Sequence, residues 1–264
     1  MANLHIIGNA SSSPPALGAC SSYLVVDGGT RLLLDCGPGA VPQLMAVASP
    51  YDLDAIVISH MHTDHFLDLL TLNMALLSGK EAGVAYPKLP IPLILPPGAL
   101  ETLDGCFAAL ARGVTGTLAS RWRESYAARE HDGGETVEVG PLRITFVGPM
   151  KHATTCYGVR VQSSTGVLGY TGDTAYCEAA VAVGKDADLL LSECTLMEFD
   201  APRSATHLSA PELGRIAREA GCKHVLATHI SRQDDDWRAG LAARIRSEFA
   251  GEVTVVRNGD GFRF

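Results

Sequence analysis

Three imidazoles and a carboxylate crowd into six consecutive positions, His60, His62, Asp64 and His65, immediately after the apolar run Ala55-Ile56-Val57-Ile58. A loop at a strand end projects side chains in several directions. The H-x-H spacing sets two rings on one side, while Asp64-His65, at the start of a helix, turns two further donors elsewhere. Such a set can serve two adjacent metal ions. Imidazole with carboxylate suits Zn2+, and Mn2+ or Fe2+ compete for the same donors because loading follows availability as well as affinity. Further along stand a lone histidine in Met150-Lys151-His152, an aspartate in Tyr170-Thr171-Gly172-Asp173-Thr174 and a histidine in Ala227-Thr228-His229-Ile230. Taken singly, each suits a core or surface position as well as a site.

The H-x-H-x-D-H pattern after an apolar strand resembles the signature of the metallo-β-lactamase superfamily, and the isolated residues follow in that family's order, joined by Asp35 in Leu33-Leu34-Asp35-Cys36-Gly37. The resemblance implies an α/β fold, an αββα four-layer sandwich of two mixed β-sheets with helices on the outer faces, as one domain over residues 1–264. It implies that His60, His62 and His152 bind one divalent metal ion, that Asp64, His65 and His229 bind a second, and that Asp173 bridges both. Asp35 would orient the histidine loop, fixing a ligand's tautomer through its far ring nitrogen.

Within the superfamily the chain is most similar to the ribonuclease Z and phosphodiesterase branch. Gly169-Tyr170-Thr171-Gly172-Asp173, Leu190-Leu191-Ser192-Glu193-Cys194-Thr195 and Thr206-His207-Leu208-Ser209 carry that likeness. In the branch the glutamate and histidine pair and the histidine serves the reaction. A histidine held by a carboxylate stays protonated to higher pH and can donate to a departing alkoxide. The implied activity is hydrolysis of a small phosphodiester, cyclic nucleotides included, by a hydroxide bridging the metals, with Asp64 orienting the nucleophile and the Glu193–His207 pair as acid arm. His152 and Asp173 are only 21 positions apart, which leaves no space for the family's tRNA-gripping arm, so tRNA is not expected as a partner. Lactone, carboxyl ester or thioester hydrolysis is the alternative, since the same nucleophile attacks a carbonyl. A non-catalytic metal-binding scaffold is third, and the full set of seven ligand positions speaks against it.

The elements that must position these residues are legible as patterns. Leu24 to Asp35, with Gly28-Gly29 at its centre, reads as a hairpin. Ala55 to Ile58 reads as a strand and Phe66 to Leu77 as one buried helix. Prolines at 87, 90, 92, 96 and 97 break the chain into a loop beside the site, with room for one strand around Leu93-Ile94-Leu95. Glu101 to Arg112 reads as helix, and Arg121 to Arg129 as a further helical stretch. Then come short apolar runs at 137–139, 142–147, 158–161, 167–170 and 189–191. Ser209-Ala210-Pro211-Glu212 carries a capping box with an early proline and opens an amphipathic helix that closes at Gly221. A strand at 225–227, a helix from Asp236 to Phe249 and a last strand at Val253 to Val256 follow. Two strand-rich halves, each passing into helix, imply two sheets face to face with helices outside.

Bulk properties bound the function. Hydrophobic residues are 47% of the 264 and charged residues 19%, a globular balance. A formal charge of -8 disfavours a long polyanion as partner, although bound cations would dominate the potential at their own site. Seven scattered cysteines without a C-x-x-C pair indicate neither a disulfide framework nor a thiolate zinc site, and read mostly as small buried hydrophobes. The start Met-Ala-Asn-Leu-His lacks the basic opening of a secretory signal, and no apolar run approaches a spanning length, so the expectation is a cytoplasmic protein with no membrane partner. The apolar content and family habit leave a homodimer open. Phe66, Trp122, Tyr126, Tyr157 and Trp237 are candidate pocket aromatics, and Cys156 and Cys194 fall close to the site in sequence.

Overall fold

The chain alternates runs that are apolar at every position with runs apolar at every second one, and this decides which strands are central. Leu32-Leu33-Leu34, Ala55-Ile56-Val57 and Leu189-Leu190-Leu191 are buried throughout, as strands covered on both faces must be. In the computed structural model, which describes residues 1–83, 88–112, 117 and 119–264, they occupy the interior of two seven-stranded sheets.

The first sheet contains β1 (Asn3–Gly8), β2 (Ser22–Asp27), β3 (Thr30–Leu34), β4 (Ala55–Val57), β5 (Ile91–Leu95) and β6 (Tyr126–Glu130). The second contains β7 (Thr136–Val139), β8 (Leu142–Val147), β9 (Gly158–Gln162), β10 (Val167–Tyr170), β11 (Leu189–Glu193), β12 (His224–Thr228) and β13 (Glu252–Val255). A last strand, β14 (Gly261–Arg263), crosses back and pairs antiparallel with β1. Strands β3 to β6 run parallel to one another, as do β10 to β13.

Three buried clusters define four layers. One lies between the sheets, where Leu4, Tyr23, Leu32, Leu34 and Val57 meet Ile144, Phe146, Val161, Tyr170 and Leu191. A second joins the outer face of the first sheet to helices α1 (Ala40–Val47), α3 (Asp68–Glu81) and α4 (Ala99–Leu110). The third joins the outer face of the second sheet to α5 (Glu178–Gly184), α6 (Ala210–Ala220) and α7 (Asp235–Arg246). This is the αββα sandwich. Among the described residues no helix is long and apolar enough to cross a membrane.

The capping box forms as read: Ser209 and Glu212 exchange bonds at the start of α6, and Gly221 closes it at φ 66°. Four readings change. The stretch from Arg121 to Arg129 is helical only as far as Glu124. A 3-10 turn over Ala119–Glu124 leads into β6, whose alternating burial and parallel pairing with β5 override its helical propensity. The helix expected from Phe66 to Leu77 is two, a single turn α2 (Thr63–Phe66) and then α3, jointed at Leu67. The strand at Val253 is followed by β14, so it is not the last. Helices α1 and α5 were not anticipated. Of the proline-rich loop, Pro87 lies outside the described residues.

Candidate metal centre

The parallel strands of both sheets end at one edge of the sandwich, and the chemistry-bearing residues sit just past those ends, where open α/β sheets place their ligands. Asp35 follows β3, His60 follows β4, His152 follows β8, Asp173 follows β10, Glu193 closes β11 and His229 follows β12. Asp64 and His65 lie on the single turn α2, and His62 is its N-cap. Asp35 and His229 both hold left-handed backbone, φ 56° and 52°, a conformation that costs a non-glycine residue energy and is found where a site fixes it.

All seven expected ligands converge. The ligand atoms of His60, His62, His152 and Asp173 lie within 4.8 Å of one another, as do those of Asp64, His65 and His229. Asp173 stands between the groups: Oδ1 is 3.4 Å from His65 Nε2, and Oδ2 is 3.8 Å from His60 Nε2, 4.0 Å from His152 Nε2 and 3.4 Å from His229 Nε2. His229 Nε2 meets Asp64 Oδ2 at 3.1 Å and His152 Nε2 meets His62 Nδ1 at 3.0 Å.

Whether these residues fit metal ions can be judged from what their other atoms do. His152 Nδ1 donates to the Thr206 carbonyl at 2.8 Å. A carbonyl only accepts, so the proton is on Nδ1 and Nε2 carries a lone pair. His65 Nδ1 donates to Asp35 Oδ2 at 2.7 Å, and His60 Nδ1 is 3.1 Å from the Ser59 hydroxyl. That hydroxyl gives its own hydrogen to Asp35 Oδ2 at 2.8 Å and so accepts from His60. The far nitrogens, His60 Nε2 and His65 Nε2, are buried without a hydrogen-bond partner, and so is Asp173 Oδ1. Three orphaned lone-pair atoms facing one small space cost about 1–3 kcal/mol each unless something electropositive fills it. The donor set fits divalent cations with nitrogen and oxygen preferences.

With no ion bound, the carboxylates draw positive charge onto the cluster in its place. Burial holds His60 well below the ordinary histidine range. Burial would lower His65 too, but Asp173 and Asp35 outweigh it and push it up. Burial would raise Asp173, yet His229, His65 and His60 hold its carboxyl well below the usual range. Asp64 is likewise driven down against burial, by His229, His65 and the Ser12 backbone N–H, which donates to Oδ2 at 2.7 Å.

Beside this cluster Glu193 is buried and accepts His207 Nδ1 at 3.0 Å, with the Thr174 N–H on the same oxygen at 2.8 Å. The His207 side chain keeps 23% of its surface exposed, and its ring stacks on His229 with centroids 5.7 Å apart. Burial works against its charge, but Glu193 and then Asp173 raise its pKa above the ordinary value.

Sequence reasoning missed several residues that hold the others. Ser59 and Tyr170, each adjacent to or within a quoted motif, both bind Asp35: Ser59 N–H reaches Oδ1 at 2.7 Å and the Tyr170 hydroxyl reaches Oδ2 at 2.5 Å. Thr195 and Thr206 fall inside quoted motifs without a role read for them, and Ser12 has no sequence signal of its own. Of the candidate aromatics, Phe66, Trp122 and Tyr126 are core beneath the first sheet, and Tyr157 packs by its ring against His131 with centroids 4.9 Å apart. Trp237 alone borders the site's flank, in a cleft with Thr195, Phe199 and Arg203. Cys156 and Cys194 are buried thiols whose pKa burial raises.

The family described as the beta-lactamase superfamily domain matches residues 30–230. The chain is 32% identical to the probable metallo-hydrolase YhfI of Bacillus subtilis, over 96% of each chain, and 27% identical to ribonuclease Z of Myxococcus xanthus, over 97% of this chain and 95% of that one. The crystal structure of YhfI superposes with a TM-score of 0.84, at 28% identity and covering 99% of this chain and 98% of the other. Human tRNase Z, short form, shares the fold with a TM-score of 0.75 at 19% identity, over 99% and 98% of the two chains. With a family match over most of its length and a relative above 30% identity end to end, the chain belongs to the metallo-β-lactamase superfamily.

Proposed function

We propose that the protein is a dinuclear metal-dependent hydrolase that cleaves a small phosphodiester. The observation that carries this reading is the convergence of His60 Nε2, His65 Nε2 and Asp173 Oδ1, buried and unpartnered, beside a histidine whose Nδ1 is held by a buried glutamate. His60, His62 and His152 would hold one ion, Asp64, His65 and His229 the other, with Asp173 shared. Zn2+ suits the donors best, with Mn2+ or Fe2+ as substitutes. Divalent ions bound there would supply Lewis acidity, easing deprotonation of water and neutralising charge on the phosphoryl oxygens.

The chain's own groups do the rest. Asp64, fixed by the Ser12 N–H, orients the attacking water. His207, its Nδ1 taken by Glu193, offers the Nε2 proton to the leaving oxygen. His207 also lies within ligand distance of Asp173 and His229, but its bond to Glu193, at 3.0 Å against 3.9 Å to Asp173, favours the acid role. A small substrate is supported by the segment between His152 and Asp173, which is consumed by β9, β10 and a tight turn at Ser163–Gly166, and so projects no arm.

Metal analysis of the purified protein, followed by a panel of cyclic nucleotides, linear diesters, lactones and a precursor tRNA, tests the proposal. Divalent metal at about two equivalents with turnover of cyclic or linear diesters is expected. Turnover confined to lactones or other carboxyl esters, or to the tRNA, would overturn the substrate class.

A further inference from the structure

We infer that Thr195 is a positioning residue that ties the acid arm to the second metal site, so that one carboxylate, Glu193, governs both. This rests on the reading of His229 as a ligand and His207 as the acid. The Thr195 hydroxyl lies 2.8 Å from Glu193 Oε2 and 2.9 Å from His229 Nδ1. It has one hydrogen, and an ionised carboxylate takes it in preference to a neutral ring nitrogen. His229 must then supply its own Nδ1 proton to the Thr195 oxygen, so that in the neutral ring Nε2, 3.1 Å from Asp64 and 3.4 Å from Asp173, would be free to ligate an ion placed among them.

Glu193 is therefore shared. Oε1 holds His207 and Oε2 holds His229 through one hydroxyl. The arrangement matters because His229 sits at φ 52°, a backbone state that does not fix the ring by itself. Thr195 Oγ also lies 3.2 Å from the His229 carbonyl, which cannot take the hydrogen already given to Glu193, and 3.5 Å from His207 Nδ1, whose proton goes to Glu193 Oε1. Ser59 and Asp35 repeat the device on the first sheet, where a hydroxyl between a buried carboxylate and a histidine Nδ1 sets His60.

Removing the hydroxyl without changing the shape separates this role from simple packing. In Thr195→Val the ring of His229 loses its partner and Glu193 Oε2 keeps only the Thr195 N–H at 3.3 Å. Zinc titration against a competing chelator should then show affinity at one of two sites lowered about 10- to 100-fold, together with a lower kcat at saturating zinc. Thr195→Ser should restore both. His207→Ala should lower kcat alone. Should Thr195→Val fold poorly, Thr195→Ala carries the same expectation, judged against the same serine rescue. Wild-type zinc affinity in a folded hydroxyl-free variant, or no recovery in Thr195→Ser, would overturn the inference while leaving the hydrolase reading intact. A wild-type chain that takes up no divalent metal would overturn both.

Discussion

Replacing His207 with alanine probes the acid arm without removing a proposed ligand, because its side-chain hydrogen bond runs to Glu193 while its ring only stacks on His229. A positioned general acid contributes about 10²- to 10⁴-fold to a step that expels a poor leaving group, or about 3–5 kcal/mol of transition-state stabilisation. The structure supports the full range. Glu193 is buried, accepts the Thr174 N–H and the Thr195 hydroxyl as well as His207, and so cannot swing away from the imidazole. The loss should depend on the leaving group. On a cyclic nucleotide or an alkyl diester, kcat should fall by the full factor; on a p-nitrophenyl diester, whose leaving anion needs no proton, it should fall by less than about tenfold. Steady-state kinetics on the two substrate classes, with metal content measured on the same preparation, gives the comparison. Equal losses on both substrates would mean that His207 binds or positions substrate and does not deliver a proton. Loss of metal would mean that it is a ligand, as its distance from Asp173 and His229 permits.

Three further outcomes follow from the same geometry. Glu193→Gln should move the alkaline limb of the pH–rate profile to lower pH: burial alone lowers the His207 pKa and Glu193 raises it, the acid works only while protonated, and activity is lost as pH rises through that folded value. An unmoved limb would detach His207 from it. Asp35→Ala strands His65 Nδ1, the Ser59 N–H and hydroxyl and the Tyr170 hydroxyl in a buried space, and should cost roughly 3–5 kcal/mol in denaturant unfolding and weaken metal binding 10- to 100-fold. Gly37→Ala puts a methyl 2.0 Å from the Asp64 carbonyl oxygen, at the turn where Cys36 N–H holds the His65 carbonyl at 2.7 Å. Metal content should fall with stability there, by about 1–3 kcal/mol in thermal or denaturant unfolding.

How much of this was legible follows from the range over which each signal acts. The cluster at His60 to His65 could be read because ligand spacing, an apolar strand and a helix start all lie within a dozen residues. The capping box at Ser209 and the hairpin at Gly28-Gly29 are local in the same sense, and both formed as read. What could not be read depended on partners far away in the chain. Tyr126-Ala127-Ala128-Arg129-Glu130 has helical propensity and becomes strand because the open edge of β5 accepts it. The break at Leu67 arises where the His65 carbonyl accepts the Cys36 N–H and the Asp68 N–H donates to the Cys36 carbonyl, a constraint invisible to periodicity. Thr195, Thr206 and Ser12 act through a hydroxyl, a carbonyl and an N–H, groups whose residue types announce nothing.

The convergence itself has a simple geometric origin. Strands that run parallel within each sheet end together, and two sheets packed face to face with their parallel strands ending on the same side bring six strand ends to one rim. Each end then needs to supply one or two side chains, so residues separated by up to 165 positions, as Asp64 and His229 are, meet at 3.1 Å. The strands beneath, β8 apart, are buried on both faces, and the side chains above are held by hydroxyls and carboxylates that are themselves buried. The atoms proposed to hold the metal ions are thus positioned by the protein's own contacts, and the order of motifs along the chain is the order in which strands reach that rim.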